Sequence, residues 1–377
     1  MKNILGYFVV KILIGLNILF RPLRIREKVT VISRQSNSAS LDIILLTEAL
    51  QKRGIEPVIL TKTLEKSISG MLAYSVHLLQ QMYHIATSKV ILIDGYCMLV
   101  SILPKKDGQS VVQMWHALGA IKKFGWQNTE NPDGHNRKFS EIMNMHGNYD
   151  YVIAPGAVTG RFFAEAFRVR QEQLVYCGLP RIDFLKTEDV VVNSQMESQY
   201  PCLKDKPTVL YVPTFRKGLE LDLKNFVLGF NYEKFNLVIK KHFLDCGNYE
   251  WAKEAGAIVD SDYSSLEWLR LSEKVITDYS AISLEAAVLE RDIYIYQSDV
   301  ARYQQKVGLN IDLKSEPLGA YVCEDEATLF KKLEEPYRKE VVRQFKEKYF
   351  DITLDNCTQE LCEFIMEVLR KEYREEV

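Results

Sequence analysis

A histidine at the end of a strongly apolar segment is the first candidate for chemistry. The segment at 111–114 is mostly apolar, Trp115 and His116 follow it, and small residues then lead to Lys122 and Lys123. Ligands of open parallel sheets bind at the carboxyl ends of the strands. An imidazole at such a position can act as a general base near neutral pH. The alternative is a structural imidazole that caps the strand.

Cationic residues follow two later apolar segments. Arg216 and Lys217 come after the first of them, and Lys240, Lys241 and His242 come after the second. If the two segments are neighbouring strands, they bring these groups to one edge of a sheet. Such an edge suits a diphosphate, because an arginine can bind phosphate oxygens with two parallel hydrogen bonds. The alternative is an ordinary solvated basic rim.

A third candidate combines a strand end with the start of a helix. The sequence VITDYSAISLEAAVLE at 275–290 is typical of strand, turn and helix. Asp278 and Ser280 are residues that cap helices, and the backbone N–H groups of a helix start bind phosphate. Glu285 lies one turn further and could accept hydrogen bonds from ribose hydroxyls. The alternative is a simple capping motif.

The elements that must position these residues alternate between strands and helices. The segments predicted to be strands lie at 29–33, 58–60, 90–93, 111–114, 151–154, 174–176, 209–212, 237–239, 257–259, 274–276 and 293–296. Strands that alternate with helical patterns form parallel sheets with crossover helices. We therefore predict two Rossmann-like domains that face a cleft. Helical patterns fill the end of the chain, from about residue 325.

The amino-terminal segment is almost continuously apolar. Residues 4–20 contain few polar side chains, and Arg21, Arg24, Arg26 and Lys28 follow. A spanning helix needs about 20 apolar residues, and a signal peptide needs a small-residue cleavage site. The segment meets neither requirement, so we predict an amphipathic helix at 1–27 that lies in an anionic leaflet. A core helix and a short true span are the alternatives.

The composition is that of a folded globular protein and argues against several function classes. The chain has 377 residues and a formal net charge of −2, whereas a general nucleic-acid binder carries a basic excess. Neither G-x-G-x-x-G nor G-x-x-x-x-G-K-[ST] occurs, which argues against a dinucleotide dehydrogenase and a P-loop NTPase. The seven dispersed cysteines predict free thiols in a reducing compartment.

The sequence predicts no metal site and no cofactor with certainty. Asp260 and Asp262 flank a serine, and we interpret this short run as a solvated turn rather than a metal site. A Mg²⁺ ion beside a bound diphosphate is left open by the sequence.

Five motifs follow one another along the chain: WHALGAIKKFG at 115–125, GLPRID at 178–183, PTFR at 213–216, KKH at 240–242 and TDYS at 277–280. In this order they resemble the CDP-glycerol:poly(glycerophosphate) glycerophosphotransferase family of teichoic-acid synthesis. The similarity extends over about residues 90–320. The resemblance implies a GT-B-like fold, in which the predicted Rossmann-like domains would occupy residues 28–200 and 201–350, with a helix at 351–377.

The resemblance also implies an activity. The chain would transfer glycerol phosphate or ribitol phosphate from a CDP-polyol to a hydroxyl of a lipid-linked acceptor, releasing CMP. It would act as a peripheral protein at the cytoplasmic face of the plasma membrane, with the acceptor in the first domain and the CDP donor in the second. A nucleotide-sugar glycosyltransferase of the same architecture is the alternative.

The residue roles follow from the matched motifs. His116 is the predicted general base, and His242 is the second predicted catalytic residue. The predicted diphosphate ligands are Arg216, Lys241, Thr277, Asp278, Ser280 and Ala281. Glu285 would bind the ribose, and Trp115, Arg181 and Asp183 would line the cleft. The family's glycine-threonine after the histidine is Ala117-Leu118 here, which leaves the polyol and the acceptor open.

Overall fold

The computed structural model describes residues 2–65, 67–216, 223–241 and 247–371. The strands in these ranges are short and mostly buried, as expected of parallel strands that are covered on both faces. They are β1 (Arg26–Ser33), β2 (Val58–Thr61), β3 (Ser88–Ile93), β4 (Ser110–Gln113), β5 (Tyr151–Ala154), β6 (Leu174–Tyr176), β7 (Thr208–Tyr211), β8 (Asn236–Ile239), β9 (Ile258–Val259), β10 (Lys274–Thr277), β11 (Asp292–Tyr296) and β12 (Val322–Cys323).

At least one helix lies between every two consecutive strands of this set. They are α1 (Lys2–Asn17), α2 (Leu41–Lys52), α3 (Ile68–Thr87), α4 (Met98–Ile102), α5 (Arg137–Ile142), α6 (Ala157–Phe167), α7 (Arg181–Lys186), α8 (Val190–Gln199), α9 (Lys224–Gly229), α10 (Trp251–Glu254), α11 (Ser265–Leu271), α12 (Ile282–Val288), α13 (Val300–Lys306), α14 (Glu326–Glu334), α15 (Lys339–Tyr349) and α16 (Cys357–Arg370).

Local sequence explains where several helices begin and end. The α2 helix stops before Gly54, whose φ of +81° is a left-handed conformation that favours glycine. Ser264 begins α11 with a capping box, in which its hydroxyl accepts from the Glu267 backbone N–H and the Glu267 carboxylate accepts from the Ser264 N–H. These capping residues are readable in the sequence.

The strands form two six-stranded sheets, one in each of two compact units. The first sheet has the order β2-β1-β3-β4-β5-β6 and the second the order β12-β11-β10-β7-β8-β9. Every strand pair in both sheets is parallel. The predicted α/β architecture with parallel sheets is therefore confirmed. The sequence did not predict the two-residue edge strand β12.

The two units are not continuous in sequence. The first comprises the described parts of Met1–Leu118, Lys123–Asp183 and Phe350–Val377, and the second comprises Gly119–Lys122 and Phe184–Tyr349. The α16 helix packs on α2, so the chain returns to the first unit at its end. The assignment of acceptor and donor to these units stays a prediction. In the described part of the chain, no helix has both the length and the hydrophobicity needed to span a membrane.

Candidate active site

The predicted catalytic histidine follows a strained turn at the end of β4. Trp115 has a φ of +61°, a left-handed conformation that is rare for an aromatic residue. The Gln113 side chain holds this turn, because its Oε1 accepts from the Trp115 backbone N–H at 2.9 Å and its Nε2 donates to the Gly95 carbonyl at 3.1 Å. Strained residues of this kind cost about 1–3 kcal/mol and cluster at functional sites.

An aromatic cluster packs around the Trp115 ring. Its centroid lies 4.1 Å from that of His116, 4.6 Å from that of Phe124 and 5.1 Å from that of Phe167. These contacts offset part of the backbone strain and fix the plane of the neighbouring imidazole. Trp115, predicted as a cleft residue, therefore positions His116 directly.

Hydrogen bonds to Nδ1 determine which nitrogen of His116 can act as a base. Nδ1 lies 2.9 Å from the backbone carbonyl oxygen of Asp94 and 3.1 Å from Nε2 of Gln35. A carbonyl oxygen only accepts, so the shorter contact requires a proton on Nδ1. A protonated Nδ1 cannot accept a hydrogen bond from the Gln35 amide nitrogen. The Gln35 amide is therefore flipped in this tautomer, so that its oxygen lies beside the Nδ1–H. The partly exposed ring then has Nε2 as its proton-accepting nitrogen.

Asp94 is a buried carboxyl group beside this histidine that sequence reasoning missed. Its side chain accepts a hydrogen bond from the Ser33 hydroxyl at 2.7 Å, and the residue is only 2% exposed. Burial raises the pKa of Asp94 to about 6, against the opposing effect of the Ser33 hydrogen bond. The signal was present in the sequence, because Asp94 directly follows a buried strand, as the residues at the His116 turn do.

Residues of the GLPRID motif contact the beginning of α2 and the beginning of α16 in the first unit. The Arg181 guanidinium and backbone N–H both bind the buried Asp42 carboxylate, through Nε at 2.8 Å, Nη2 and N at 2.8 Å. A Cβ on Gly178 would collide with the Cys357 sulfur, so only glycine permits this close approach.

Asp183 caps the last helix. Its two carboxylate oxygens accept from the backbone N–H groups of Cys357 and Thr358 at 3.0 and 2.7 Å, at the start of α16. The predicted cleft residues Arg181 and Asp183 are thus both engaged in internal contacts of the first unit.

In the second unit, Arg216 is the centre of a buried charge network. Nε and Nη2 donate to the two carboxylate oxygens of Asp299 at 2.7 and 3.0 Å, and Nη1 pairs with Asp278 at 2.8 Å. Nη1 also donates to the Thr214 carbonyl at 2.7 Å. All three guanidinium nitrogens are therefore engaged within the protein, although the sequence predicted that Arg216 binds the diphosphate.

The two carboxylates of this network, Asp278 and Asp299, also have hydrogen bonds to other residues. Asp278 Oδ1 accepts from the backbone N–H and hydroxyl of Thr214 at 2.9 and 2.5 Å and from the Tyr279 N–H at 2.6 Å. Burial opposes ionisation of Asp299, but the hydrogen bonds and charge of Arg216 outweigh it and lower the Asp299 pKa. Asp299 was not predicted, although it follows the apolar strand β11 by three residues.

Two other donor-site candidates are buried. Thr277 has no exposed surface, and its hydroxyl donates to the Val212 carbonyl at 2.8 Å. Glu285, the predicted ribose ligand, is 3% exposed within α12.

The remaining candidates lie nearer to solvent or cannot be placed. Ser280 and Ala281 are partly exposed at the start of α12, and Lys241 is exposed after β8. The predicted catalytic His242 lies outside the described residues. Its role stays a prediction.

The interpretation of residues 260–262 as a solvated turn is wrong for Asp260. This carboxylate is buried, and it binds Lys240 Nζ at 3.0 Å and the Trp268 indole N–H at 2.8 Å. It therefore neutralises Lys240, which the sequence placed on the basic sheet edge. Within the described ranges, no three or more His, Cys, Asp or Glu side chains group in a way that could hold a metal ion.

Comparison with known proteins identifies the family. The model of the CDP-glycerol:poly(glycerophosphate) glycerophosphotransferase family matches residues 18–367. A teichoic acid ribitol-phosphate primase of Bacillus spizizenii is 30% identical over 290 residues, 74% of each chain. A teichoic acid glycerol-phosphate primase of Bacillus subtilis is 27% identical over 299 residues, 77% of this chain and 76% of that one.

A solved structure shares the fold. The wall teichoic acid polymerase TagF superposes with a TM-score of 0.73 at 17% identity, covering 98% of this chain and 97% of that chain. The family match, which spans most of the sequence, confirms the resemblance seen in the motifs. The chain belongs to the CDP-glycerol:poly(glycerophosphate) glycerophosphotransferase family.

Proposed function

We propose that the chain transfers a polyol phosphate from a CDP-polyol to a hydroxyl of a lipid-linked acceptor and releases CMP. Family membership and the primases and polymerase among its relatives support this reaction. The observation that carries the mechanism is the hydrogen bond from His116 Nδ1 to the Asp94 carbonyl. It presents Nε2 of a partly exposed imidazole as a base at a strand end.

The chemical step places His116 on the acceptor. Nε2 takes the proton of the acceptor hydroxyl while its oxygen attacks the phosphorus that carries the polyol. The new phosphorus–oxygen bond forms as the bond to CMP breaks, and CMP leaves with that electron pair. General-base catalysis of this kind contributes about 10²–10⁴-fold to the rate. The Asp94 carbonyl oxygen stabilises the imidazolium through the Nδ1–H.

We propose that the CDP donor binds to the second unit. The proposed role of each residue there depends on its exposure and on its contacts. Lys241, Ser280 and Ala281 are exposed enough to contact the diphosphate, and His242 would assist them. Arg216 holds Asp278 and Asp299 in place, because its nitrogens are already engaged. Positioning and electrostatic stabilisation dominate phosphoryl transfer, so a rigid charged framework suits this role.

Two of the donor-site proposals concern buried side chains. Thr277 shapes the strand end through its bond to Val212. Glu285 stays the proposed ribose ligand. Because its side chain is buried, this role requires the start of α12 to move so that the ribose can reach it.

Peripheral membrane binding is supported by the way α1 packs. The side of α1 that packs on the protein includes the buried residues Gly6, Leu13 and Asn17. Its other side exposes large apolar side chains, which is the reverse of a core helix. The large apolar residues exposed on α1 and just after it are Ile4, Leu5, Tyr7, Phe8, Ile12, Leu16, Ile18 and Leu19.

A second exposed apolar stripe, which the sequence did not predict, lies on α3. It consists of Ile68, Met71, Leu72, Val76, Leu79 and Tyr83. Both α1 and α3 contact the short helix α4 in the first unit. Exposed apolar surface on this scale marks an interaction site, and the flanking arginines favour an anionic bilayer.

Three of the four predicted basic residues are available for lipid. Arg21, Arg24 and Arg26 are exposed, but Lys28 is not. Its ammonium donates to the Thr87 hydroxyl at 2.6 Å, and burial lowers its pKa. We propose that the three arginines supply the attraction to the cytoplasmic leaflet.

The activity is tested by measuring CMP release from CDP-glycerol and CDP-ribitol with lipid-linked acceptors. Acceptor-dependent CMP release with either donor supports the proposal and identifies the polyol. Turnover of UDP- or GDP-sugars in place of the CDP-polyols would establish the glycosyltransferase alternative.

Membrane binding is tested by flotation with anionic vesicles. Phe8→Glu combined with Ile12→Glu should abolish flotation, because it places charge on the exposed side of α1. Val191→Glu in α8 is the matched control, since Val191 is an equally exposed apolar residue in the second unit. Flotation that survives the double substitution would contradict docking through α1.

A further inference from the structure

A large apolar cavity lies beside α1 in the first unit. Its volume is about 820 Å³, within the range of pockets that bind ligands. Amides of Asn3 and Asn136 contribute to its wall, and no charged side chain among the described residues lines it. The apolar residues of the wall are Leu5, Gly6, Val9, Met98, Phe139 and Met143.

The cavity is open at the protein surface, since Leu5 and Phe139 in its wall are exposed. A contiguous exposed apolar surface of this kind marks a binding site for a ligand or a membrane. A space of this size with an apolar wall therefore fits an apolar ligand. Leu5 both lines the cavity and is 67% exposed, so the opening lies at the apolar surface of α1.

A smaller cavity extends from the same wall to the catalytic turn. It has a volume of about 190 Å³, and Phe139 and Met143 line both cavities. Trp115 and Phe124 also line it, and the ring centroids of Trp115 and His116 lie 4.1 Å apart. Apolar space thus adjoins both the exposed helix α1 and the neighbour of the proposed base.

We propose that the larger cavity binds the hydrocarbon chain of the lipid-linked acceptor. This inference rests on the proposed function, which requires an acceptor with an apolar anchor and a reactive hydroxyl. A chain that enters beside α1 passes from the bilayer into the protein without crossing water. The smaller cavity continues from this site toward the Trp115–His116 turn, where the hydroxyl must react.

The test uses two forms of the acceptor that supports CMP release, one with a dodecyl chain and one with a methyl group. Assays without vesicles, below the concentration at which the dodecyl form aggregates, remove the contribution of membrane partition. Each methylene group that the cavity buries should raise kcat/KM about fourfold. The wild-type protein should therefore strongly prefer the dodecyl acceptor.

Val9→Trp fills the cavity and should remove this preference, so that kcat/KM for the dodecyl acceptor falls to the value for the methyl acceptor. Ile12→Trp is the matched control, because Ile12 lies on the exposed side of the same helix and does not line the cavity. It should keep the preference. Met98→Trp fills the cavity from α4 and should reproduce Val9→Trp if that variant folds poorly.

The outcomes separate this inference from the proposed function. CMP release with both acceptors but no chain preference in the wild type overturns the cavity assignment and leaves the transferase function intact. Equal loss of preference in Val9→Trp and Ile12→Trp also overturns it, because the chain would then bind the outer surface of α1. No CMP release with either acceptor would overturn the proposed function itself.

Discussion

The carboxyl edges of the two sheets use polar residues in opposite ways. In the first unit, His116 is partly exposed and is held by a backbone carbonyl and by aromatic rings. In the second unit, Arg216 is buried and its charge is neutralised by Asp278 and Asp299. Both edges resembled ligand sites in the sequence, but Arg216 is buried and paired with carboxylates, whereas His116 is partly exposed.

The difference teaches how to interpret motifs that contain charged residues. A buried charge must be paired. An arginine in a motif at a strand end can therefore serve an internal ion pair rather than a ligand. His116, by contrast, is partly exposed at the end of a strand. We therefore propose that proton transfer takes place at the first edge and that the second edge shapes the donor site.

The largest expected effect is on Arg216. Arg216→Ala leaves the buried Asp278 and the partly exposed Asp299 carboxylates without their partner and should lower the free energy of unfolding by about 3–5 kcal/mol. Denaturant unfolding measures the loss, and hydrogen exchange at β7 and β10 assigns it to the second unit. Arg302→Ala, an exposed arginine on α13, is the control. Normal stability with lost donor affinity would instead make Arg216 a diphosphate ligand.

A smaller effect concerns the pH dependence at Asp94. In the native state Asp94 has a pKa of about 6, whereas the carboxyl of an unfolded aspartate has a pKa of about 4. Between these two pH values the native Asp94 is therefore still protonated while the unfolded one is ionised. Asp94 alone should therefore lower the free energy of unfolding by roughly 2–3 kcal/mol as the pH rises from about 4 to about 6. Carboxylates with a lowered pKa, such as Asp299, act in the opposite direction, so the effect is measured as the difference between the wild type and Asp94→Asn.

Asp94→Asn should remove that pH-dependent loss. Its turnover should stay close to normal, because the contact to His116 comes from the backbone. Asp107→Asn, which changes an exposed carboxylate, is the control. Identical stability profiles for the wild type and Asp94→Asn between these pH values would contradict the raised pKa.

The smallest effect is at Asp183, the cap of α16. Asp183→Ala should cost about 0.5–2 kcal/mol of stability with little change in kcat, because the side chain binds backbone N–H groups of the first unit. Asp183→Asn keeps one acceptor oxygen and should lose less. A large fall in kcat at unchanged stability would restore the cleft role that the sequence predicted.

The fold could be predicted well from the sequence because its signals are local. Nearly fully apolar strand segments and the Gly54 stop after α2 depend on a few neighbouring residues, and all appear in the structure. The two-residue strand β12 was missed because so short a segment has no periodicity.

The site could be predicted only in part, since a motif identifies residues but not their partners. His116 was found by its place after a strand. The role of Arg181 depends on Asp42, and that of Arg216 depends on Asp299, in each case a residue more than 80 positions away. Such pairings arise from tertiary packing and leave no local signal.

The most direct test of the account is the kinetics of His116→Ala with CDP-polyol and a lipid-linked acceptor. We expect CMP release to fall by about 10²–10⁴-fold, with donor affinity measured by calorimetry unchanged, because the imidazole acts on the acceptor hydroxyl. Added imidazole should restore part of the rate. Turnover close to that of the wild type, or a loss explained entirely by weaker donor binding, would contradict the assignment of His116 as the general base.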